Sequence, residues 1–417
     1  MTPTGIAAAT WIVFVLVYIG LAVGKLPFVH LDRAGIALVG ATAALVLGVV
    51  TFPQAVDAVD FATIALLFGM MVVVAYLRLG GFFRGLASRV LSRAKTPIGV
   101  LAAVVGLSGV LSAFLVNDVV CLALGPIVLS LARRVRRDPT PYLIALAASA
   151  NAGSTATITG NPQNMIIGGL SHIPYGRFAA RLGPIAAIGL ALVFAIVWFA
   201  FRRALATDVG EDGRPSVAPG DPAGHPDPQL LPKGVVVLLG LIGSFFAGVP
   251  VEIAALGAGA VLMLGRQKPD RLYAQIDWNL LVMFAGLFVV VAGFERHVVS
   301  NWDLGWVTNS ATAPVAALSA GTAVLSNFVS NVPAVLLLKS IVFSMAPAAR
   351  EHAWLTLAMA STLSGNLTPV ASVANLIVLE GASRHGVRVS LWDFCRVGVP
   401  VTLLTLGVGA AWLEFVP

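Results

Sequence analysis

The sequence predicts an all-α polytopic membrane protein made of two inverted-topology repeats, each with a re-entrant helical hairpin and a broken transmembrane helix, and about 11 spans in all. Three observations lead there. The composition is too apolar for a soluble globule, polar segments interrupt apolar runs at the depth of the bilayer centre, and the motifs of the first half return in the second.

Of the 417 residues, 58% are hydrophobic and 11% charged, with a mean hydropathy of +0.92. That leaves too little polar surface to cover a water-soluble fold. Cys121 and Cys395 lie in or beside apolar runs and read as reduced buried thiols, not as a disulfide framework.

In chain order, apolar windows of about 18 to 20 residues fall at Gly5 to Gly24, Ala34 to Val50 and Phe61 to Leu77. The first lacks a basic flank and a small-residue cleavage site, so it reads as a retained span. Arg78, Arg84, Arg89, Arg93 and Lys95 then alternate with apolar residues at helical spacing, the pattern of an amphipathic helix on the membrane surface. The run from about 97 to 132 is too long for one span and carries Asn117-Asp118 at its middle, which predicts a hairpin. A broken helix follows at about 142–170, interrupted by NAGSTATITGNPQN from Asn151 to Asn164. Unpaired backbone costs several kcal/mol per group in hydrocarbon, so such a break belongs where protein or a cavity meets it. Gly183 to Phe201 ends the first repeat, 1–201. Residues 202–232, rich in Pro, Gly and Asp, read as a cytoplasmic linker. The second repeat, 233–417, holds a hairpin at about 312–346 and a broken helix at about 353–379.

The repeat is visible in three motifs. LLFGMMVVVA after Asp60-Phe61 returns as VMFAGLFVVVA after Asp277-Trp278, with Gly69 on Gly286. LSAFLVND returns as LSNFVSNV, with Asn331 in the place of Asn117, and STATITGNPQNMII returns as GNLTPVASVANLIV, with Asn164 on Asn375.

The positive-inside rule places Arg78 to Lys95 and the cluster Arg133, Arg134, Arg136 and Arg137 inside. The first hairpin then opens to the cytoplasm and the second to the outside, with both termini outside. The expected host is a bacterial-type plasma (inner) membrane, crossed many times. The net charge of +7 reads as this loop bias and contact with anionic lipid, not as a nucleic-acid footprint. Inverted repeats with paired broken helices point to an alternating-access transporter with its site at the midplane.

ASANAGSTATITGNPQN with LVNDVVCLALGPIV, and SNVPAVLLL with SGNLTPVASVANLIV, resemble the ion transporter superfamily over nearly the whole chain. Within it the resemblance is closest to arsenite efflux permeases and silicon efflux transporters, and more distant to divalent anion:sodium symporters. In the symporters each hairpin tip carries Ser-Asn-Thr. Here the tips read Val116-Asn117-Asp118 and Ser330-Asn331-Val332, so both threonines are lost, which weakens the sodium sites the resemblance implies. The arsenite and silicon exporters share Asn-Asp at the first tip, and the resemblance implies proton coupling.

Asp118 is the candidate proton carrier, since a mid-membrane carboxylate is costly unless solvated, paired or protonated; capping of the hairpin's own backbone is the alternative. The candidate substrate-binding set comprises Asn151, Gly153, Ser154, Thr155, Thr159, Asn161 and Asn164 from the first broken helix, with Thr157 beside them. Gly365, Asn366, Thr368, Ser372 and Asn375 join from the second, and Asn117, Asn327 and Asn331 from the hairpins. Asn117 and Asn331 serve equally well as caps, and close packing is the alternative for any single Asn or Gly. A charge-free lining of hydroxyls and amides suits a small neutral polyhydroxy solute such as arsenous or silicic acid. Lys339, eight residues past the second tip, is expected to reach for the interface.

Proton-coupled efflux of a metalloid hydroxide or oxyanion (arsenite, antimonite or silicic acid) is therefore expected. The alternatives are a sodium-coupled carboxylate or anion symporter and a cation:proton antiporter. An enzyme is not expected: Gly106-Leu107-Ser108-Gly109 matches a short protease pattern, but no His lies in an apolar core, and HExxH and phosphate-loop motifs are absent. No cofactor and no metal site are expected. The expected partners are a small inorganic solute or anion, a proton or sodium ion, and the bilayer, with no nucleic acid; a homodimer and a separate ATPase stay open.

Overall fold

The computed structural model describes residues 3–23, 31–94, 96–207, 227–265, 268–299 and 315–416. Among these residues the chain is helical throughout, with no strand. Lys25, Lys95, Arg266, residues 208–226 of the linker and residues 312–314 of the predicted second hairpin lie outside the described residues.

The first repeat runs Pro3–Val23, Arg33–Val46, a short Phe52–Ala58, Phe61–Leu79 and the amphipathic Phe82–Arg93. Hairpin arms Pro97–Phe114 and Asn117–Arg134 follow, then the broken helix Thr140–Ser154 and Pro162–Ser171, then Tyr175–Ala200. The second repeat presents Leu231–Phe246, Val251–Met263, a short Pro269–Tyr273, Trp278–His297, hairpin arms Val315–Val329 and Asn331–Ser344, the broken helix Pro347–Leu363 and Val373–Arg384, and Leu391–Phe415. Six described helices are long and apolar enough to cross a membrane: Phe61–Leu79, Pro97–Phe114, Tyr175–Ala200, Pro228–Phe246, Trp278–His297 and Leu391–Phe415. Others are shorter. Arg33–Val46 has 14 residues, about 21 Å at 1.5 Å per residue, and stops short of the Val50 expected from hydropathy. Gly48, at φ +70°, ends it.

The shared Asp-aromatic pair of the repeats has a local cause. Asp60 Oδ1 accepts from Thr63 N at 3.1 Å, and Asp277 Oδ1 from Leu280 N at 3.1 Å, so both are N-caps of the helices that follow.

Those two helices interlock the halves. A Cβ on Gly69 would lie 2.5 Å from the carbonyl carbon of Ala255, and one on Gly286 would lie 2.7 Å from that of Ala37. Phe61–Leu79 is therefore packed backbone to backbone on Val251–Met263, and Trp278–His297 on Arg33–Val46. Each contact joins one repeat to the other.

The ends of the linker are seated on the body. Leu205, in the helix Arg202–Ala206, is buried and its carbonyl accepts from Arg137 Nε at 2.8 Å, while Asp227 N donates to Leu79 O at 3.0 Å. Lys339 is paired with a carboxylate of a neighbouring helix. Its Nζ lies 3.3 Å from Glu295 Oε2 on Trp278–His297, with the two side chains 15% and 26% exposed, and Ser340 donates to the other oxygen of that carboxylate. The carboxylate offsets the cost of half-burying the ammonium.

Candidate substrate site

Both broken helices stop at mid-chain because their polar residues satisfy the backbone that the break exposes. In the first, Thr157 and Asn161 are extended and Pro162 opens the second segment, with Asn161 Oδ1 accepting from Asn164 N at 2.9 Å. Asn164 Nδ2 donates to Ser154 O at 3.2 Å and Thr157 O at 3.0 Å. In the second, Asn375 Nδ2 donates to Gly365 O at 2.7 Å and Thr368 O at 3.1 Å. The two asparagines matched by sequence do one job twice.

Asn151 is the node at which the halves meet. Its Nδ2 donates to Asn366 Oδ1 at 2.9 Å and Asn375 Oδ1 at 3.1 Å, and its Oδ1 accepts from Asn117 Nδ2 and Ser372 Oγ, both at 3.1 Å. Asn366 Nδ2 in turn donates to Ala148 O at 3.2 Å. The spacing that takes Asn164 onto Asn375 takes Asn151 onto Thr362 and Asn161 onto Ser372. Asn161 Nδ2 donates to Thr362 Oγ1 at 3.1 Å, the repeat image of the bond from Ser372 to Asn151. Thr362 Oγ1 donates to Asn164 Oδ1 at 3.4 Å, the image of the bond from Asn151 to Asn375. The pseudo-twofold relation extends to individual hydrogen bonds.

The remaining candidates divide by what they touch. Ser154 and Thr155 hydroxyls donate to Asn151 O at 2.9 and 3.2 Å. Thr157 donates to Ala113 O of the first hairpin. Thr159 pairs with Tyr175 OH at 2.9 Å, away from Asn151. Gly153 meets the backbone of Gly109, where a Cβ would lie 2.1 Å from the carbonyl oxygen. Thr368 is half-buried and contributes its carbonyl. Asn327 Nδ2 donates to Ala323 O at 2.8 Å and Ser364 O at 3.3 Å.

What stays open is at the hairpin tips. The Oδ1 atoms of Asn117, Asn331 and Asn327 are buried without a hydrogen-bond partner among the described residues, and so are Ser112 Oγ and Ser326 Oγ. Asn117 with Asn331, and Ser112 with Ser326, are repeat mates. Gly365 lets Asn331 in: a Cβ there would lie 3.3 Å from Asn331 Nδ2. Buried polar atoms without partners call for a ligand or water, and these frame the centre from both sides. Asp118 stands in the first turn of Asn117–Arg134, half-buried, with no hydrogen bond or ion pair among the described residues.

Sequence reasoning did not single out Thr362, Gln163, Ser112 or Ser326 as site residues. Gln163 Nε2 donates to Thr362 Oγ1 at 3.2 Å. Extending the internal alignment by three residues on the N-terminal side brings Thr362 into register with Asn151. Thr362→Val and Ser372→Ala are expected to lower stability by about 1–3 kcal/mol each, Thr362→Val by the larger amount, since it removes three side-chain hydrogen bonds and Ser372→Ala one. Unfolding in detergent, followed by intrinsic fluorescence, measures both; a Ser372→Ala more damaging than Thr362→Val would overturn the ranking.

Inverted repeats that bring two hairpin tips and two broken helices to one buried polar centre are the build of a membrane transporter. The chain belongs to the citrate transporter family, CitMHS, whose family model matches residues 11–364. The resemblance to the ion transporter superfamily drawn from the motifs holds. Similar proteins include the silicon efflux transporter LSI3 of Oryza sativa subsp. japonica, 28% identical over 92% of this chain and 93% of that protein. An uncharacterized transporter of Mycobacterium tuberculosis is 30% identical over 85% of this chain and 86% of its own. Among solved structures, the YdaH transporter of Alcanivorax borkumensis aligns with a TM-score of 0.62 at 15% identity, covering 98% of this chain and 97% of the other. At that identity the likeness is one of fold.

Proposed function

We propose that this chain exports a small metalloid hydroxide or oxyanion (arsenite, antimonite or silicic acid) by alternating access, driven by protons entering from the outside. The observation that carries the reading is the chemistry of the centre. The hydrogen bonds that converge on Asn151, Asn161, Asn164 and Asn375 involve amides, hydroxyls and backbone only, with no Arg, Lys or His. A neutral polyhydroxy solute can exchange donors and acceptors with such a lining without a counter-charge, and the unpartnered oxygens of Asn117, Asn331, Ser112 and Ser326 accept or share its hydroxyl protons. Asp118, one residue from Asn117, carries the coupling proton. Relatedness to a protein named as a silicon efflux transporter supports the solute class. The positive-inside arrangement supports a bacterial-type inner membrane with the linker inside and both termini outside.

The family description, a citrate transporter, favours a carboxylate as the solute, and the second reading is a sodium-coupled carboxylate symporter. Proteoliposomes with imposed gradients separate the two. Arsenite or silicic acid movement that follows a pH gradient and ignores a sodium gradient is the expected result. Sodium-driven citrate uptake, with no metalloid flux, would replace the first reading by the second.

A further inference from the structure

Five buried Ser and Thr residues in these helices share a habit: the hydroxyl donates to the carbonyl one turn back. Thr10 does so to Ile6, Ser108 to Val104, Ser149 to Ala145, Thr356 to His352 and Thr405 to Val401. The first arm of the second hairpin, Val315–Val329, breaks the habit three times. Ser319, Thr322 and Ser326 are 5%, 0% and 0% exposed, and their hydroxyls have no hydrogen-bond partner among the described residues.

The three stand at i, i+3 and i+7, on one face of the helix. With Val315 and Leu318 they make up its whole buried face, while Ala316, Ala317, Ala320, Gly321, Val324 and Phe328 are exposed. The arm thus turns its polar side inward and its apolar side outward. Consecutive hydroxyls are about 5 to 6 Å apart along the axis, and the ladder spans about 10 Å in all. Its inner end, Ser326, precedes the hairpin tip and Asn331, whose Oδ1 is also unpartnered.

The repeat mate of this arm shares only the innermost rung: Ser112, the mate of Ser326, is also buried and without a partner among the described residues. The spacing that takes Asn117 onto Asn331 takes Val105 onto Ser319 and Ser108 onto Thr322. Val105 is apolar, and Ser108 is bonded both to Val104 O at 2.7 Å and to Ser149 Oγ. Ala360 stands where the second half would need the mate of Ser149, so Thr322 finds no hydroxyl there. The two outer rungs, Ser319 and Thr322, therefore belong to the second hairpin alone.

We infer that Ser319, Thr322 and Ser326 line a hydrated path from the face at which the second hairpin opens to the central site. Gaps of about 5 to 6 Å are those that one bridging water spans with a hydrogen bond to each side, and buried polar groups left open by the protein are where such waters sit. A cation site would need several oxygens converging on one point at roughly 2.3–2.6 Å, whereas these diverge along an axis and include no carboxylate. On the proton-coupled reading above, the path admits the proton from the outside.

Cysteine access tests it in a chain carrying Cys121→Ala and Cys395→Ala, reconstituted in liposomes and treated with methyl methanethiosulfonate. Only a thiolate reacts, and a thiolate needs water. Ser319→Cys and Thr322→Cys are expected to react at least tenfold faster than Val105→Cys, the repeat mate, and Val324→Cys on the apolar face. Equal, slow reaction at all four would overturn the path. Separately, the Ser319→Ala/Thr322→Val double variant is expected to lose at least fivefold in pH-gradient-driven flux while solute exchange at equal pH is unchanged. An equal loss in both would mark the hydroxyls as structural and overturn the proposal. Fast-reacting cysteines in a protein whose flux ignores the pH gradient would keep the hydrated path and remove the proton-coupled reading instead.

Discussion

Proteoliposomes carrying Asp118→Asn are expected to show no proton-driven accumulation of solute, while exchange of solute across the membrane at equal pH continues. The amide keeps the size of the carboxylate and removes the group that binds and releases the proton. Folding is expected to survive, because the native side chain has no hydrogen bond or ion pair among the described residues to lose. The apparent melting temperature should move by less than about 2 °C, the scale of a change below 1 kcal/mol in a chain this long. The neighbour, Asn117, keeps its 3.1 Å bond to Asn151, so the node is undisturbed. Gradient-driven accumulation at the wild-type level would remove Asp118 from the coupling step.

Gly153→Ala is expected to do more damage to the protein than any loss of a single polar group at the site. The added Cβ would lie 2.1 Å from Gly109 O, 2.5 Å from its Cα and 2.6 Å from its carbonyl carbon. All three are backbone atoms of a facing helix, so no side chain can turn aside. Overpacking of a core costs about 1–3 kcal/mol where side chains can adjust, and more where they cannot. Relief requires moving Thr140–Ser154 away from Pro97–Phe114, which carries Asn151 off its four partners. Little monodisperse protein should emerge from size-exclusion chromatography in detergent. Gly106→Ala, three residues from Gly109 with nothing within 4 Å of its Cβ, is the matched control and should behave as wild type. A Gly153→Ala protein as abundant and active as that control would show that the helices can part freely here.

Much of the architecture was legible in the chain because membrane folds announce themselves through length and interruption. Asn117-Asp118 inside an overlong apolar run, and Pro162 after a row of hydroxyls, mark places where a helix must turn or stop. The Asp60 and Asp277 match was legible because a cap has both a residue type and a position. Partnership was not legible. Nothing local ties Asn151 to Ser372, more than two hundred residues away; only the folded meeting of the halves does. Glu295 and Lys339 are likewise separated in the chain and adjacent in space. The end of Arg33–Val46 was missed because Leu47, Val49 and Val50 continue the apolar run past a glycine whose positive φ stops the helix. Ser319 and Thr322 carry no signal of their own in the sequence. The unmade bond to the preceding turn is what separates them from Ser108 and Thr356, and that is a fact of geometry.

The crossed packing of Gly69 on Ala255 and Gly286 on Ala37 also governs how the chain is made. When the ribosome has completed the first repeat, Phe61–Leu79 and Arg33–Val46 are both in place and both lack the helix each will bind. Their glycine and alanine grooves face lipid until Val251–Met263 and Trp278–His297 are inserted. Neither half is a finished folding unit, so maturation waits on the C-terminal half, and a chain truncated at the linker leaves two docking faces open. Expressed as two separate polypeptides, the halves should find each other through those same faces, because the contacts that join the repeats need no continuous backbone between them.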